Sequence, residues 1–163
     1  MMRKSTFWWV FAVGAGPMLL ASFMYFSGVG IPLGRTHHGE LIADGRNVND
    51  WALATVAGQP WQMSEQWQLM LTQPQGCTAC EDWAEKLPNM HTALGKERDR
   101  VEWHQVFPAD AGKGLMVEDM SRLGAAVWVV DPLGNLVLRY ELTQNPQAVL
   151  DDLRKLLKLS KLG

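Results

Sequence analysis

A chain of 163 residues holds one ordinary domain and a modest appendage, since domains cluster near about 100 to 150 residues. Lysine and arginine number 15 against 17 aspartates and glutamates, a net charge of −2, and basic residues cluster only in the C-terminal tail. That balance excludes a nucleic-acid partner, which needs a concentrated basic surface; the tail cations Arg154, Lys155, Lys158 and Lys161 instead suit the negative end of a helix dipole.

From Ser5 to Gly34 no side chain is charged, and the stretch FWWVFAVGAGPMLLASFMYF is almost wholly apolar. Crossing a bilayer takes about 20 such residues, whereas the apolar part of a cleavable signal has about 7 to 15. An uncleaved single-pass anchor is therefore expected over residues 7–31, after a cytoplasmic N-terminus of residues 1–6. Gly28-Val29-Gly30 is a small-x-small pattern that a signal peptidase accepts, so a cleaved segment stays open as the alternative. Trp8 and Trp9 at one end and Tyr25 and Phe26 at the other suit two aromatic interfaces, and Gly14, Gly16 and Pro17 suggest a kink. Arg3 and Lys4 before the span, against Arg35 and Arg46 after it, favour a cytoplasmic N-terminus. The expected location is the inner (cytoplasmic) membrane, with the lipid bilayer as one partner and the rest of the chain in the periplasm, where dithiols are readily oxidised.

Residues 32–50 are polar and glycine-containing and read as a stalk below a domain at 51–163. Leu53 to Val56 suggests a short strand, Gly58-Gln59-Pro60 a turn, and Trp67 to Thr72 an apolar strand. Cys80, Trp83, Ala84, Leu87, Met90, His91 and Leu94 recur at helical spacing, with Pro88 expected to kink or end the helix. Val101 to Phe107 alternates as a strand, and Val117 to Leu123 reads as a short helix. Ala125 to Val130 and Leu136 to Leu142 form an antiparallel hairpin around Asp131-Pro132-Leu133-Gly134-Asn135. Asn145-Pro146 opens a last helix whose apolar face is Val149, Leu150, Leu153, Leu156 and Leu157. The order strand, helix, strand, helix, hairpin, helix predicts an α/β fold of the thioredoxin-like kind: a central mixed sheet flanked by helices, preceded here by one N-terminal transmembrane helix.

The only two cysteines, Cys77 and Cys80 in GCTAC, fall on the loop that enters the first of these domain helices. A helix start offers unpaired N–H groups and a positive dipole end, which favour a thiolate. Cys77 is then the candidate attacking thiol and Cys80 the candidate resolving thiol, while Glu81 and Asp82 oppose the thiolate by like charge. A fixed disulfide closing so short a loop removes little chain entropy. Zinc lacks ligands, with His37, His38, His91 and His104 scattered, but copper(I) accepts two thiolates, leaving Cys77 and Cys80 as candidate ligands. His37-His38 reads as a solvated linker, His91 as a satisfied core histidine, and His104 as solvent-facing. Trp67, Trp83, Trp103 and Trp128 read as core, whereas Trp51 and Trp61 are expected to form a lid or face a partner.

Given GCTAC after WQLMLTQPQ and AAVWVVDPLGNLVLRY downstream, the region from about Gln66 to Leu159 resembles the thioredoxin-like superfamily. VWVVDPLGNLV is similar to the strand and DPxG turn of Sco-type cytochrome oxidase assembly proteins, and with THHGELI the chain looks like the small membrane-anchored thioredoxin-like proteins that accompany them. Three departures stand out. Sco proteins carry CxxxC and a copper-ligating histidine where Leu123 lies; thioredoxins carry a cis-proline where Ala126 lies and a tryptophan where Gly76 precedes the first cysteine. The residues and the resemblance together imply a thiol-disulfide oxidoreductase with no required cofactor. Its partners would be an exported or membrane protein substrate, such as a respiratory oxidase subunit during copper-site maturation, and a thiol electron donor. A non-catalytic assembly factor, or a copper(I)-holding protein, is the alternative.

Overall fold

In the computed structural model of the chain, which describes residues 4–27 and 37–160, helix α1 runs Lys4–Ser27. Its stretch Trp8–Ser27 has a mean hydropathy of 1.6 and is long and apolar enough to cross a bilayer, and the helix continues through Pro17. The cleavage motif at 28–30, the expected end of the span at residue 31, stalk residues 32–36, residues 1–3 and Lys161 lie outside the described residues. The chain divides into two units, 1–36 and 37–163.

The second unit is built on one six-stranded mixed sheet in the order β1-β6-β5-β2-β3-β4. The strands are β1 (Glu40–Leu41), β2 (Trp67–Thr72), β3 (Val101–Pro108), β4 (Leu115–Val117), β5 (Ala126–Val130) and β6 (Leu136–Glu141). Between them lie α2 (Ala79–Ala93) and α3 (Met120–Leu123), and α4 (Pro146–Leu159) follows β6. Every residue of β2 is buried, because β3 pairs with it in parallel, β5 pairs antiparallel, and both faces are covered. That is why its sequence reads as a continuous apolar run. The loop leaving the end of this central strand is therefore held on the stiffest part of the domain.

One face of the sheet packs against α2 and α4, joining Leu69, Leu71, Val127 and Val129 to Trp83, Leu87, Leu153 and Leu157. The helical repeat predicted these contacts, and Asn145 caps α4 by accepting from the Gln147 N–H at 2.9 Å. Pro88 does not end α2, which runs on to Ala93. Proline removes one backbone hydrogen bond, and the buried Leu87 and Met90 on either side hold the helix to the sheet.

The opposite face is closed by irregular chain between Ile42 and Met63 together with α3, packed on Met70, Val106, Ala126 and Trp128. Here three expectations are corrected. The stalk expected over 32–50 does not extend past residue 37, since β1 pairs with β6 at the sheet edge and Val48 is buried. Leu53 to Val56 forms only isolated bridges, Ala54 pairing with Pro60 and Met116. The expected helix from Val117 begins only at Met120, because Leu115–Val117 adds a sixth strand beside β3. Trp51 and Trp61, by contrast, take the expected place of a lid over the domain: Trp51 meets Trp128 edge-on at 5.3 Å, and Trp61 meets His104 at 5.3 Å. The turn after β5 ties this layer down, its Gly134 carbonyl accepting from Val48 N–H at 2.8 Å.

Candidate functional site

The dithiol sits where β2 hands over to α2. Gln73 and Pro74 leave the strand, Gly76 reverses the chain with φ +77°, and Thr78 precedes the helix. A Cβ at position 76, where ordinary thioredoxins carry a tryptophan, would meet open space but would sit on a backbone in the left-handed region. The backbone, not crowding, thus explains the glycine. Cys77 and Cys80 are joined in a disulfide with their Cα atoms 5.4 Å apart.

The two sulfurs differ in surroundings. Cys77 is half-buried on a ridge, whereas Cys80 is 2% exposed in the first turn of α2, with its sulfur 3.9 Å from the Thr72 carbonyl oxygen. A groove of about 430 Å³ runs along one side of the ridge, past Phe107, Pro108 and Lys113. A second, of about 560 Å³, runs along the other side past Ala125, Arg139 and Glu141. Both grooves open on Cys77, and the first also touches Cys80, of which only 2% is exposed. Glu81 lines the first groove, while Asp82 is engaged by Lys86, so Glu81 is the carboxylate most able to oppose a thiolate. Glu81→Gln is expected to raise the alkylation rate of reduced Cys77 at pH 7 by about two- to threefold, a small factor because the carboxylate is solvated.

Sequence reasoning missed Thr72 as a support beneath the pair. Its buried hydroxyl donates to the Gly124 carbonyl at 2.6 Å and accepts from the Ala126 N–H and the Trp128 indole N–H, each at 3.2 Å. The hydroxyl thus fastens the end of β2 to the start of β5 directly behind Cys80. Ala126, at the position where thioredoxins carry a cis-proline, is inside β5 with its side chain in the far-face core, and Ala125 lines the groove. The Ala126 N–H that Thr72 binds is the group a proline lacks. Thr72→Val is expected to cost about 2–4 kcal/mol in urea unfolding, because two donors and a carbonyl lose a buried partner without loss of volume.

The histidines do not join the dithiol. His91 places Nε2 2.9 and 2.8 Å from the Arg98 and Val101 carbonyls, satisfied as expected. His104 is half-buried rather than solvent-facing, with Nε2 2.9 Å from Gln68 Oε1; burial pushes its pKa down, with Glu102 opposing. His37 lies 2.7 Å from the Gly39 carbonyl, and His38 is bonded to Asp152, so the pair is no free linker. Leu123 packs against the far-face core. For copper, Cys77 and Cys80 supply two sulfurs, and among the described residues no group of three His, Cys, Asp or Glu side chains could hold a metal. The donors fall short of the two cysteines and a histidine of a Sco-type site.

Fold and site together define a thioredoxin-like fold with a CxxC pair at the start of its first domain helix. A family described as transmembrane-like, thioredoxin-like, C-terminal domain matches residues 109–160, from the loop after β3 through α4. No curated protein matches the chain. Among solved structures, a secreted thiol-disulfide isomerase from Corynebacterium glutamicum is 13% identical, with a TM-score of 0.52 over 78% of this chain and 95% of that one. The thioredoxin domain of a thiol-disulfide oxidoreductase from Bacteroides vulgatus is also 13% identical, with a TM-score of 0.51 over 71% of this chain and 99% of that one. These two likenesses show the fold. Copper-bound ScoI from Bradyrhizobium japonicum, 13% identical over 68% of this chain and 98% of that one, has a TM-score of 0.48.

Proposed function

We propose that this chain is a membrane-anchored, extracytoplasmic thiol-disulfide oxidoreductase. One observation carries the reading: the disulfide joins a groove-facing Cys77 to a buried Cys80 at a helix start. In the reductive direction, the Cys77 thiolate attacks a substrate disulfide, forming a mixed disulfide and releasing one substrate thiolate. Cys80 then attacks the Cys77 sulfur, freeing the second substrate thiol and leaving the intramolecular disulfide. A thiol donor reduces that bond for the next cycle; run in reverse, the same steps oxidise a substrate dithiol.

The helix Trp8–Ser27 supports an uncleaved single-pass anchor, with the N-terminus in the cytoplasm and the domain in the periplasm. The substrate is an exported or membrane protein, and the DPxG turn and dithiol support a copper-site subunit of a respiratory oxidase. Cys77 and Cys80 are the residues assigned to the chemistry.

The redox midpoint of the pair, titrated in glutathione buffers and read by thiol alkylation, tests this reading. A midpoint between about −270 and −120 mV is expected, and its position in that range shows whether the pair reduces or oxidises its partner. A pair that stays locked outside that range, or that holds copper(I) stoichiometrically and exchanges no disulfide, would replace the reading with a copper-holding assembly factor.

A further inference from the structure

The proposed chemistry uses none of the groups gathered around Asp152, a carboxylate 1% exposed on α4. Its Oδ2 accepts from the His38 N–H, the Gly39 N–H at 3.3 Å and the Tyr140 hydroxyl at 3.0 Å. Its Oδ1 lies 3.1 Å from His38 Nδ1 and 3.4 Å from Lys155 Nζ. Gly39 is needed at this spot, because a Cβ there would come within 2.6 to 3.0 Å of the Tyr140 ring. Immediately afterwards Glu40 and Leu41 pair with Arg139 and Leu138, and the Ile42 N–H donates to the Val137 carbonyl at 3.0 Å. Two backbone amides, a short strand and a buried carboxylate therefore fix the chain to the domain from His38 onward.

The point of attachment lies at the dithiol end of the sheet. Carrying the pairing of Glu40 with Arg139 back by two residues sets His38 beside Glu141. The Gln144 side chain links the same two residues, donating to the His38 carbonyl at 3.2 Å and accepting from the Glu141 N–H at 3.1 Å. Arg139 and Glu141 are the wall of the groove that runs past Cys77.

We propose that the Asp152 clamp shortens the link to the membrane helix so that the dithiol serves disulfides displayed close to the bilayer surface. The proposal rests on the anchored-oxidoreductase reading above. Only residues 28–36 separate Ser27 from His37, and covalent geometry limits that link to about 35 Å. Released as far as Arg46, whose carbonyl accepts from Leu136 N–H, the link would reach roughly 65 Å. Because the short link joins beside the dithiol groove, height above the membrane becomes a specificity determinant. The favoured substrate is a membrane-bound protein whose cysteine pair lies low over the lipid, and a cysteine pair on a tall rigid stem is excluded.

The test uses the full-length chain carrying Cys80→Ser, reduced and reconstituted in vesicles of phosphatidylethanolamine and phosphatidylglycerol. Reporters are single-pass peptides bearing a 2-thiopyridyl disulfide on rigid stems about 10 Å or about 90 Å above the bilayer, the taller beyond a link of about 35 Å plus a domain about 35 Å across. The Cys77 thiolate attacks the reporter sulfur, forming a mixed disulfide and expelling pyridine-2-thione, so trapping measures reach without requiring turnover. The expected result is near trapping that exceeds far trapping by about a hundredfold, and a ratio at least about tenfold smaller after forty Gly/Ser residues are inserted following Thr36. Asp152→Asn should lower the ratio several-fold in the same direction; if that variant does not fold, the insertion carries the test. Equal trapping at both heights, trapping at neither, or a ratio unmoved by the insertion overturns the proposal. Turnover of an ordinary near disulfide by the chain with both cysteines scores the oxidoreductase reading separately: near-only trapping without turnover sinks that reading while upholding the limit on reach.

Discussion

Cys80→Ser in the full-length chain is expected to accumulate mixed disulfides with its substrate, and Cys77→Ser to lower disulfide exchange by at least about a thousandfold. The two variants differ because the two sulfurs do. Cys77 lies between open grooves, so it can reach an incoming disulfide; Cys80 is 2% exposed behind it and already bonded to the Cys77 sulfur, which makes it better placed to resolve than to attack. Serine at position 80 leaves the first attack intact and removes the second, which stalls the reaction at the covalent intermediate. Non-reducing electrophoresis of membranes before and after reductant gives the readout. Adducts that form through Cys80 in the Cys77→Ser chain would reverse the assigned roles, and adducts in neither would end the oxidoreductase reading.

The second large effect is on stability. Asp152→Ala is expected to cost about 3 kcal/mol, lowering Tm by about 10 °C, because the Tyr140 hydroxyl and two backbone amides lose their acceptor. The cost is capped because the His38 and Gly39 amides can peel into water. A pH series adds a signature. Burial alone would raise the Asp152 carboxyl, but bonds from the His38 N–H, Tyr140, the His38 ring and the Gly39 N–H outweigh it and hold the pKa below the ordinary 3.8. A depressed carboxylate contributes stability that is fully present above its unfolded pKa and lost as pH falls through the folded one. Wild-type Tm should therefore drop below about pH 4, and Asp152→Asn should show a shallower drop there. His104 acts in a separate window: burial lowers its pKa from the ordinary 6.5, so its contribution declines as pH falls through that region. An acid limb identical in Asp152→Asn and wild type would rule out this account of the clamp.

The sequence made the strand-helix-strand frame and the dithiol legible because both are written locally. WQLMLT is an apolar run, Cys80 to Leu94 keeps a helical repeat, and Asp131 to Asn135 carries turn residues in order. Asp152 gave no such signal. It stands beside Asp151 in a helix with an alternating polar face, and its partners His38 and Gly39 lie 114 and 113 residues away. Thr72 likewise reads as an ordinary strand end, and only the approach of Gly124, Ala126 and Trp128 gives its hydroxyl a task. The layer over the far face was only partly legible for a related reason: Trp51 and Trp61 lie in chain without period, so a lid was expected without the partners, Trp128 and His104, that it covers. One signal was available, since His-His-Gly followed by a possible edge strand places a glycine where a side chain would collide with Tyr140.

The asymmetry between the two faces of the sheet sets a hierarchy of local openings. Two long helices seal one side, while chain from Ile42 to Met63 with only a brief turn of helix seals much of the other. Amides in that irregular cover should exchange with deuterium through partial unfolding well below the global free energy, whereas those of β2 should exchange only when the whole domain opens. The domain would then carry a pliable back on a rigid frame, free to shed and recover one layer while the strand beneath the cysteines stays in place.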